Sequence, residues 1–457
     1  LSDIPSPEKP EITFNYQALV PHEEAPCFLA LPVDGGWALP SFTTGEHPSD
    51  SRLGRVASAM SKQLGAHLTV LRSLYSESDR EVEHRFDAVY LLENHTPDWT
   101  PTGGARWVGR DALDSVGVAG PKFAAAIDEW LGEVERGEVP ASWAPWASAG
   151  WYDRAAAWIA AQLSKLGLEP LGPVEQMRHW CISSIMRVPT PVGYIYFKAV
   201  PQLFAREPVL TAALAARYPE SIPTPLAIEV TPDEGWMLMP EFGSKLSQDT
   251  AFAPTESVVR ALAHIQVESA GNIDELFAEG CPDRRLHTLP GELRALLADE
   301  SVLADLTDAE REKLVGFTPK IEAICERLAG YAVPHSLVHG DFHSNNIAIK
   351  EGKPVIFDWT DGCVAHPFVD LPVLLEYDTP KDVPDARERI RDAYLQAWTA
   401  YEPMERLVEA FALGEVVAAL HQAISYRYIV ASLDDSQKGQ LHGGTSQWLR
   451  VLLRYAD

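Results

Sequence analysis

The sequence predicts an α+β chain in parts: a small α/β unit first, then a larger unit with room for two lobes. Three observations lead there. Alternating apolar runs and helical runs succeed one another along 457 residues, a length that exceeds one ordinary domain. A stretch with repeated Gly and Pro, 133–150, separates the first 132 residues from the rest. Near the C-terminal third, two short apolar runs flank polar residues at spacings that a hairpin gathers at one end.

In the first unit, Glu11–Val20 and Pro26–Val33 alternate as strands do, and Gly36-Trp37-Ala38-Leu39-Pro40 follows. Arg52–Leu64 carries Leu53, Val56, Met60 and Leu64 three or four apart, which is one helical face, and Gly65 ends it. Leu68–Leu74 and Phe86–Leu92 read as strands, Trp107-Val108 precedes Leu113, and Phe123–Leu131 reads as a closing helix. This order resembles the Nudix hydrolase fold. The chemistry of that family is missing. With Gly65 as the last glycine of G-x5-E-x7-R-E-U-x-E-E-x-G, Ser58 and Ala59 stand where Arg-Glu belongs. Lys62 and Gln63 replace the paired glutamates, and Asp50 falls at the earlier one. A lysine and an amide cannot hold a hard divalent cation in place of two carboxylates. Residues 1–132 are therefore expected to be a Nudix-like shell without hydrolase activity, one that binds a ligand, packs on the second unit or mediates dimerisation.

Gly132, Gly137, Pro140, Pro145 and Gly150 mark 133–150 as a linker, and Trp143 and Trp146 predict that it packs rather than floats. Residues 151–457 form the second unit. Ala155–Leu166 is a helix stopped by Gly167. Val174–Val188 and Tyr194–Val200 read as a hairpin about 189–193, and Leu203–Arg217 as a helix. Gly235 to Pro240 is a strand, Thr255–Ser269 a helix, and 290–328 a helical insert. Val383–Thr399, Met404–Ser432 and Thr445–Tyr455 are helices.

The chemistry sits in Leu337-Val338-His339-Gly340-Asp341-Phe342-His343-Ser344-Asn345-Asn346 and Val355-Ile356-Phe357-Asp358-Trp359. Asn346 comes five residues after Asp341, and Asp358 twelve after Asn346. A turn at Glu351-Gly352-Lys353 brings all three to one end of a hairpin. An acid that accepts a hydroxyl proton, with an amide and a carboxylate that can hold magnesium, is what phosphoryl transfer needs. The spacing follows H-x-D-x4-N with a later aspartate, the catalytic-loop pattern of protein kinases. Gly340 replaces the usual arginine, and Trp359 follows Asp358 in place of Phe-Gly. The segment thereby resembles the aminoglycoside phosphotransferase and choline kinase branch of small-molecule kinases.

That resemblance implies a protein-kinase-like fold, with an N-lobe over about 151–241 and a C-lobe over about 242–457. It implies Asp341 as catalytic base, Asn346 and Asp358 as ligands of Mg2+, and ATP (or GTP) as donor. Lys198, at the end of the alternating Tyr194–Lys198, would face the α- and β-phosphates, with Glu207 holding it by an ion pair. Ser183 and Ser184 would lie over the phosphates, and the backbone near Glu241 and Phe242 would meet the adenine. Asp370, in His366-Pro367-Phe368-Val369-Asp370-Leu371, and His343 are expected to brace the loop. His264 is expected at the surface and Arg284-Arg285 in a solvated loop. Glu376, Tyr377, Asp378, His421 and Tyr426 are candidates for the acceptor pocket.

Composition bounds the partners. Lys and Arg number 38 against 65 Asp and Glu, a net charge of −27, which repels nucleic acid and anionic membranes. No run of 18 apolar residues occurs, so no membrane span is predicted. Residues 1–14 are polar and unlike a signal peptide. Five scattered cysteines without a C-x-x-C pair fit reduced thiols in a cytoplasm. The expected function is ATP- and magnesium-dependent phosphorylation of a small-molecule hydroxyl. The alternative, a catalytically silent ligand sensor or scaffold, leaves the full set of base and metal residues unexplained.

Overall fold

The computed structural model describes residues 12–45, 52–79, 84–137, 144–246, 252–380, 382–433, 438 and 441–456. The expected positions Glu11, Asp50, Pro140 and Trp143 lie outside them. The chain forms two compact units, Leu1–Lys198 and Ala199–Asp457, dividing inside the strand Gly193–Pro201.

The first unit is built on a mixed sheet ordered Ser41–Thr44, Thr13–Leu19, Arg85–Asn94, Leu68–Asp79. Its two central strands are parallel, Thr13 beside Arg85 through Leu19 beside Leu91. Alternation along Arg85–Asn94 sorts the core into two layers. Phe86, Ala88, Tyr90 and Leu92 join Val56, Ala57, Met60 and Leu64 of the helix Arg52–Leu64. Val89 and Leu91 join Phe123, Ile127, Trp130 and Leu131 of the helix Pro121–Arg136. A second sheet, Arg106–Gly109, Cys27–Val33, Gly36–Ala38 and Val116–Gly117, completes this part.

The same unit continues through the helix Trp151–Lys165 and the strands Glu175–His179 and Ser184–Thr190. The single run expected over 174–188 is broken by a turn, Trp180 N–H donating to the Ser183 carbonyl at 2.8 Å. Trp146 fixes that turn: it is buried, and its Nε1 donates to the Trp180 carbonyl at 2.8 Å.

The second unit is mainly helical. The antiparallel strands Ala227–Val230 and Glu234–Pro240 precede the helix Phe252–Ser269. The insert resolves into Leu289–Leu297, Glu300–Leu303 and Asp308–Ala329, the last opened by a Thr307–Glu310 capping box. A short helix, Leu371–Tyr377, lay outside the expected elements. The helix Met404–Ala431 is long and apolar enough to cross a membrane, yet 72% of its apolar window is buried inside the protein, among core residues such as Leu407, Phe411, Val417 and Leu420. It is the central core helix of the unit. All five cysteines are free thiols.

Candidate active site

The site begins with a hairpin. Ile347–Lys350 pairs with Lys353–Ile356, Ile347 opposite Ile356 and Lys350 opposite Lys353. The loop is thus Glu351-Gly352, and both residues have positive φ (52° and 79°), as a two-residue turn matched to strand twist requires. Asn346 immediately precedes one strand and Asp358 follows the other by two residues, so both stand at the open end. The Phe357 N–H donates to the Asn346 carbonyl at 3.0 Å and extends the ladder to the brink of Asp358. Asp358 itself adopts a left-handed conformation (φ 67°, ψ 57°), which turns the chain out of the strand. Trp359 is fully buried, with its ring 4.7 Å from that of His339. It is a core anchor beneath the site.

Asp341 is brought to the same place by its own loop. Asn346 Nδ2 donates to the Asp341 carbonyl (2.9 Å) and to its Oδ2 (3.2 Å). His343 Nδ1 accepts from the Asn345 N–H at 3.2 Å, so its Nε2 carries the proton and donates to Asp341 Oδ2 at 3.2 Å. Burial pulls the His343 pKa down, but the hydrogen bond and charge of Asp341 outweigh it and hold the ring above its ordinary value. Both partners occupy Oδ2 of a half-exposed carboxylate, and Oδ1 has no hydrogen bond among the described residues. His339 is buried, and burial lowers its pKa, so the ring is neutral. It accepts from the Asp341 N–H (3.3 Å) and donates to the Phe357 carbonyl (2.9 Å), tying the Asp341 loop to the Asp358 strand.

Gly340 answers the missing arginine. Its φ is +84°, and a Cβ there would stand 2.6 Å from the Asp361 carbonyl oxygen. The loop presses on Asp361 too closely for any side chain.

Asp370 is the brace. It is buried, and its oxygens accept from the His339 N–H, the Gly340 N–H and Gln266 Nε2, each at 2.8 Å. Burial pushes its carboxyl up to about 7 against those three donors. Gln422 Nε2 donates to the Gly340 carbonyl and holds the loop from the other side.

The donor set suits magnesium. Asn346 Nδ2 is engaged by Asp341, which leaves its amide oxygen as an acceptor, and Asp358 adds a carboxylate at the same end. Both are hard oxygen ligands. The remaining expected residues are distributed as follows. Lys198 does not end its strand as expected but lies buried inside Gly193–Pro201, and Glu207 opens its helix buried, each in its own unit. Ser184 is buried with its Oγ 2.8 Å from His179 Nδ1, turned inward, while Ser183 stands in the 180–183 turn. Glu241 is exposed, and the Phe242 ring lies 4.9 Å from that of Phe357, next to Asp358. His264 is at the surface beside Glu268 (3.5 Å).

Of the acceptor-pocket candidates, Tyr426 is close enough to Asp341 that burial and then that charge push its hydroxyl up to about 12. Tyr377 feels the same charge and rests its ring on Trp448. Asp378 is occupied with the Ser344 N–H (2.8 Å) and hydroxyl (2.7 Å), and Glu376 with Arg454 (2.8 Å). His421 lies in the core, where burial lowers its pKa to about 3. Asp361 was not foreseen: burial and then the Asp341 charge push its carboxyl up to about 7, with Arg206 and Arg284 opposing.

Residues 196–407 match the model of the phosphotransferase enzyme family. The matched segment holds Lys198, Glu207, Asp341, Asn346, Asp358 and Asp370. No curated protein matches the sequence. Solved structures superpose over most of their own length. An ethanolamine kinase of Plasmodium vivax does so with a TM-score of 0.49 and 13% identity, covering 72% of this chain and 96% of that one. A macrolide 2'-phosphotransferase of type I gives 0.43 and 15%, covering 63% and 95%. An aminoglycoside phosphotransferase of Streptomyces rimosus gives 0.36 and 18%, covering 57% and 98%.

Proposed function

We propose that the protein transfers the γ-phosphoryl group of ATP or GTP to a hydroxyl of a small molecule, with a protein-kinase-like catalytic region and a Nudix-like N-terminal domain without hydrolase activity. The observation that carries this reading is the convergence of Asp341, Asn346 and Asp358 at the open end of one hairpin, with the Asn346 amide bonded to Asp341 itself.

Asp341 Oδ1 accepts the proton of the acceptor hydroxyl as its oxygen attacks phosphorus. His343 and Asn346 hold Oδ2, so the carboxylate cannot rotate away. Asp370 and His339 fix the backbone on either side. Magnesium, when bound by Asn346 and Asp358, offsets charge on the transferred phosphoryl group. Lys198 is proposed to align the nucleotide.

The test is magnesium-dependent ADP release across a panel of hydroxylated metabolites and antibiotics, wild type beside Asp341→Asn. One acceptor should stimulate turnover, and Asp341→Asn should lower kcat by about 10²–10⁴-fold, the range for a lost general base, with ATP still bound. Near-normal turnover in the variant would remove Asp341 from its role.

A further inference from the structure

Within the second unit a cavity of about 290 Å³ opens beside the catalytic loop. Asp361 lies on its wall, and the backbone of Asp361 is the surface against which Gly340, the neighbour of Asp341, is pressed. Arg206, Arg284, Cys363 and Tyr428 line it too.

Most polar groups there are already satisfied within the protein. Arg206 donates to the carbonyls of Leu203 (2.8 Å) and Thr360 (2.9 Å). Asp283, on the rim, is held by both Arg285 Nε (2.9 Å) and Nη2 (2.6 Å). Glu292 accepts the Tyr428 hydroxyl at 2.9 Å. Arg206 Nε and Arg284 Nη1 are both buried without a hydrogen-bond partner, and the Arg284 guanidinium makes no hydrogen bond or ion pair among the described residues. It is held only by stacking, 4.6 Å above the Tyr428 ring. A guanidinium cannot shed its charge, and a buried N–H on it that lacks an acceptor is unfavourable. A planar fork of donors, stacked on a ring and facing a cavity, matches a carboxylate or a phosphate.

Resting on the phosphotransfer reading of Asp341, we propose that this cavity is the acceptor pocket and that Arg284 binds an oxyanion, carboxylate or phosphate, carried by the acceptor. The acceptor is then a hydroxylated anion rather than an amine or a neutral polyol. Tyr428 sets the plane of the guanidinium, and Asp361, on the same wall, abuts Gly340 beside Asp341.

The test uses the full chain saturated with magnesium and a non-hydrolysable ATP analogue, which fills the nucleotide site. D-glycerate, glycerol phosphate, glycerol and 2-aminoethanol are titrated by calorimetry into the wild type, Arg284→Gln, Arg284→Lys and Arg284→Glu. The nucleotide affinity of each variant reports its folding. One of the two oxyanions should bind at least tenfold more tightly than glycerol, and which one names the group. That preference should vanish in Arg284→Gln, return in part in Arg284→Lys, and turn toward 2-aminoethanol in Arg284→Glu. Equal binding of glycerol and both oxyanions, or a preference that survives in Arg284→Gln, overturns the proposal. Phosphorylation of the same probes from ATP separates the two readings. An oxyanion bound through Arg284 while no probe is phosphorylated would sink the phosphotransfer reading and keep the anion site. Asp341-dependent phosphorylation of glycerol or 2-aminoethanol, indifferent to Arg284, would do the reverse.

Discussion

Replacing Asp370 by Ala tests whether the catalytic loop is held from behind. The side chain is buried and accepts three hydrogen bonds, two of them from the consecutive backbone N–H groups of His339 and Gly340. Alanine offers no acceptor. Each buried group left unpaired costs about 1–3 kcal/mol, so the two backbone donors alone destabilise the closed loop by about 2–6 kcal/mol. At the lower bound this raises the open population about 30-fold, since a tenfold change corresponds to about 1.4 kcal/mol. Asp370→Asn keeps one acceptor oxygen but sets an amide N–H against a donor. It also removes a carboxylate whose burial is unfavourable enough to push it up to about 7. Its effect should therefore be smaller than that of Ala. Native-state hydrogen exchange at the His339 and Gly340 amides reads the loop directly and requires no acceptor. Exchange should accelerate by at least about 30-fold in Asp370→Ala at the lower bound of that cost, and by less in Asp370→Asn. Unchanged protection at both amides, in a variant that melts cooperatively, would refute the brace.

Two further outcomes are expected. Gly340→Ala forces a Cβ to 2.6 Å from the Asp361 carbonyl oxygen at φ +84°. Left-handed strain of about 1–2 kcal/mol and overpacking of about 1–3 kcal/mol should together lower Tm by several degrees, and a melt superposing on wild type would contradict the close approach. In the first unit, burial raises Glu93 from 4.5 to about 6, opposed by the Gly150 N–H that donates to it at 2.6 Å. A folded pKa above the unfolded one means the native state binds more protons, so wild-type stability falls as pH rises from about 4.5 to 6. The shift is worth at most about 2 kcal/mol. Glu93→Gln should lose that decline, and denaturant midpoints at pH 4.5 and 8 that change equally in both proteins would rule the effect out.

What the sequence reveals about the site follows from which constraints are local. A two-residue turn fixes the register of a hairpin, so Asn346 and Asp358 had to arrive at one end once the turn was recognised, and Asp341 lies only five residues away. Asp361 is different. It is one acid in a short 3₁₀ turn, and nothing in Asp-Trp-Thr-Asp says that Gly340 will press on it. Arg284 and Arg285 are indistinguishable in sequence. The backbone bond from Arg284 N–H to the Val364 carbonyl (2.9 Å) seats the first over the cavity, while the second turns back onto Asp283. The break at 180–183 depends on Trp146, more than thirty residues earlier, and His421 reads as a polar candidate until the packing of the helix Met404–Ala431 buries it.

The N-terminal sheet is joined to the strands that precede Lys198 by contacts that only a fixed arrangement explains. The Gln176 side chain accepts from the Val70 N–H at 2.7 Å and donates to the Val70 carbonyl at 2.9 Å, so an amide occupies the place of a paired strand residue. It does so where the pairing of Leu68–Asp79 with Arg85–Asn94 shifts register, between Val70 and Arg72. Leu68–Asp79 is an edge strand of its sheet, and the Gln176 amide bonds its backbone at Val70, just before the skipped Leu71. The Gln176 carbonyl would lie 2.2 Å from a Cβ at position 54, so the helix Arg52–Leu64 approaches by having none. Gln176 also lies 2.6 Å from His179, and His179 meets Ser184. Tyr152, on the helix Trp151–Lys165, closes the ring: its hydroxyl donates to the Val174 carbonyl at 2.7 Å, and its ring meets that of His67 edge-on and that of His95 at a tilt. A domain that had only to be tethered would need none of this. Polar groups buried and matched at both ends argue that the N-terminal domain sets the position of the strand Glu175–His179, and through His179 and Trp146 the shape of the turn at 180–183 that follows it.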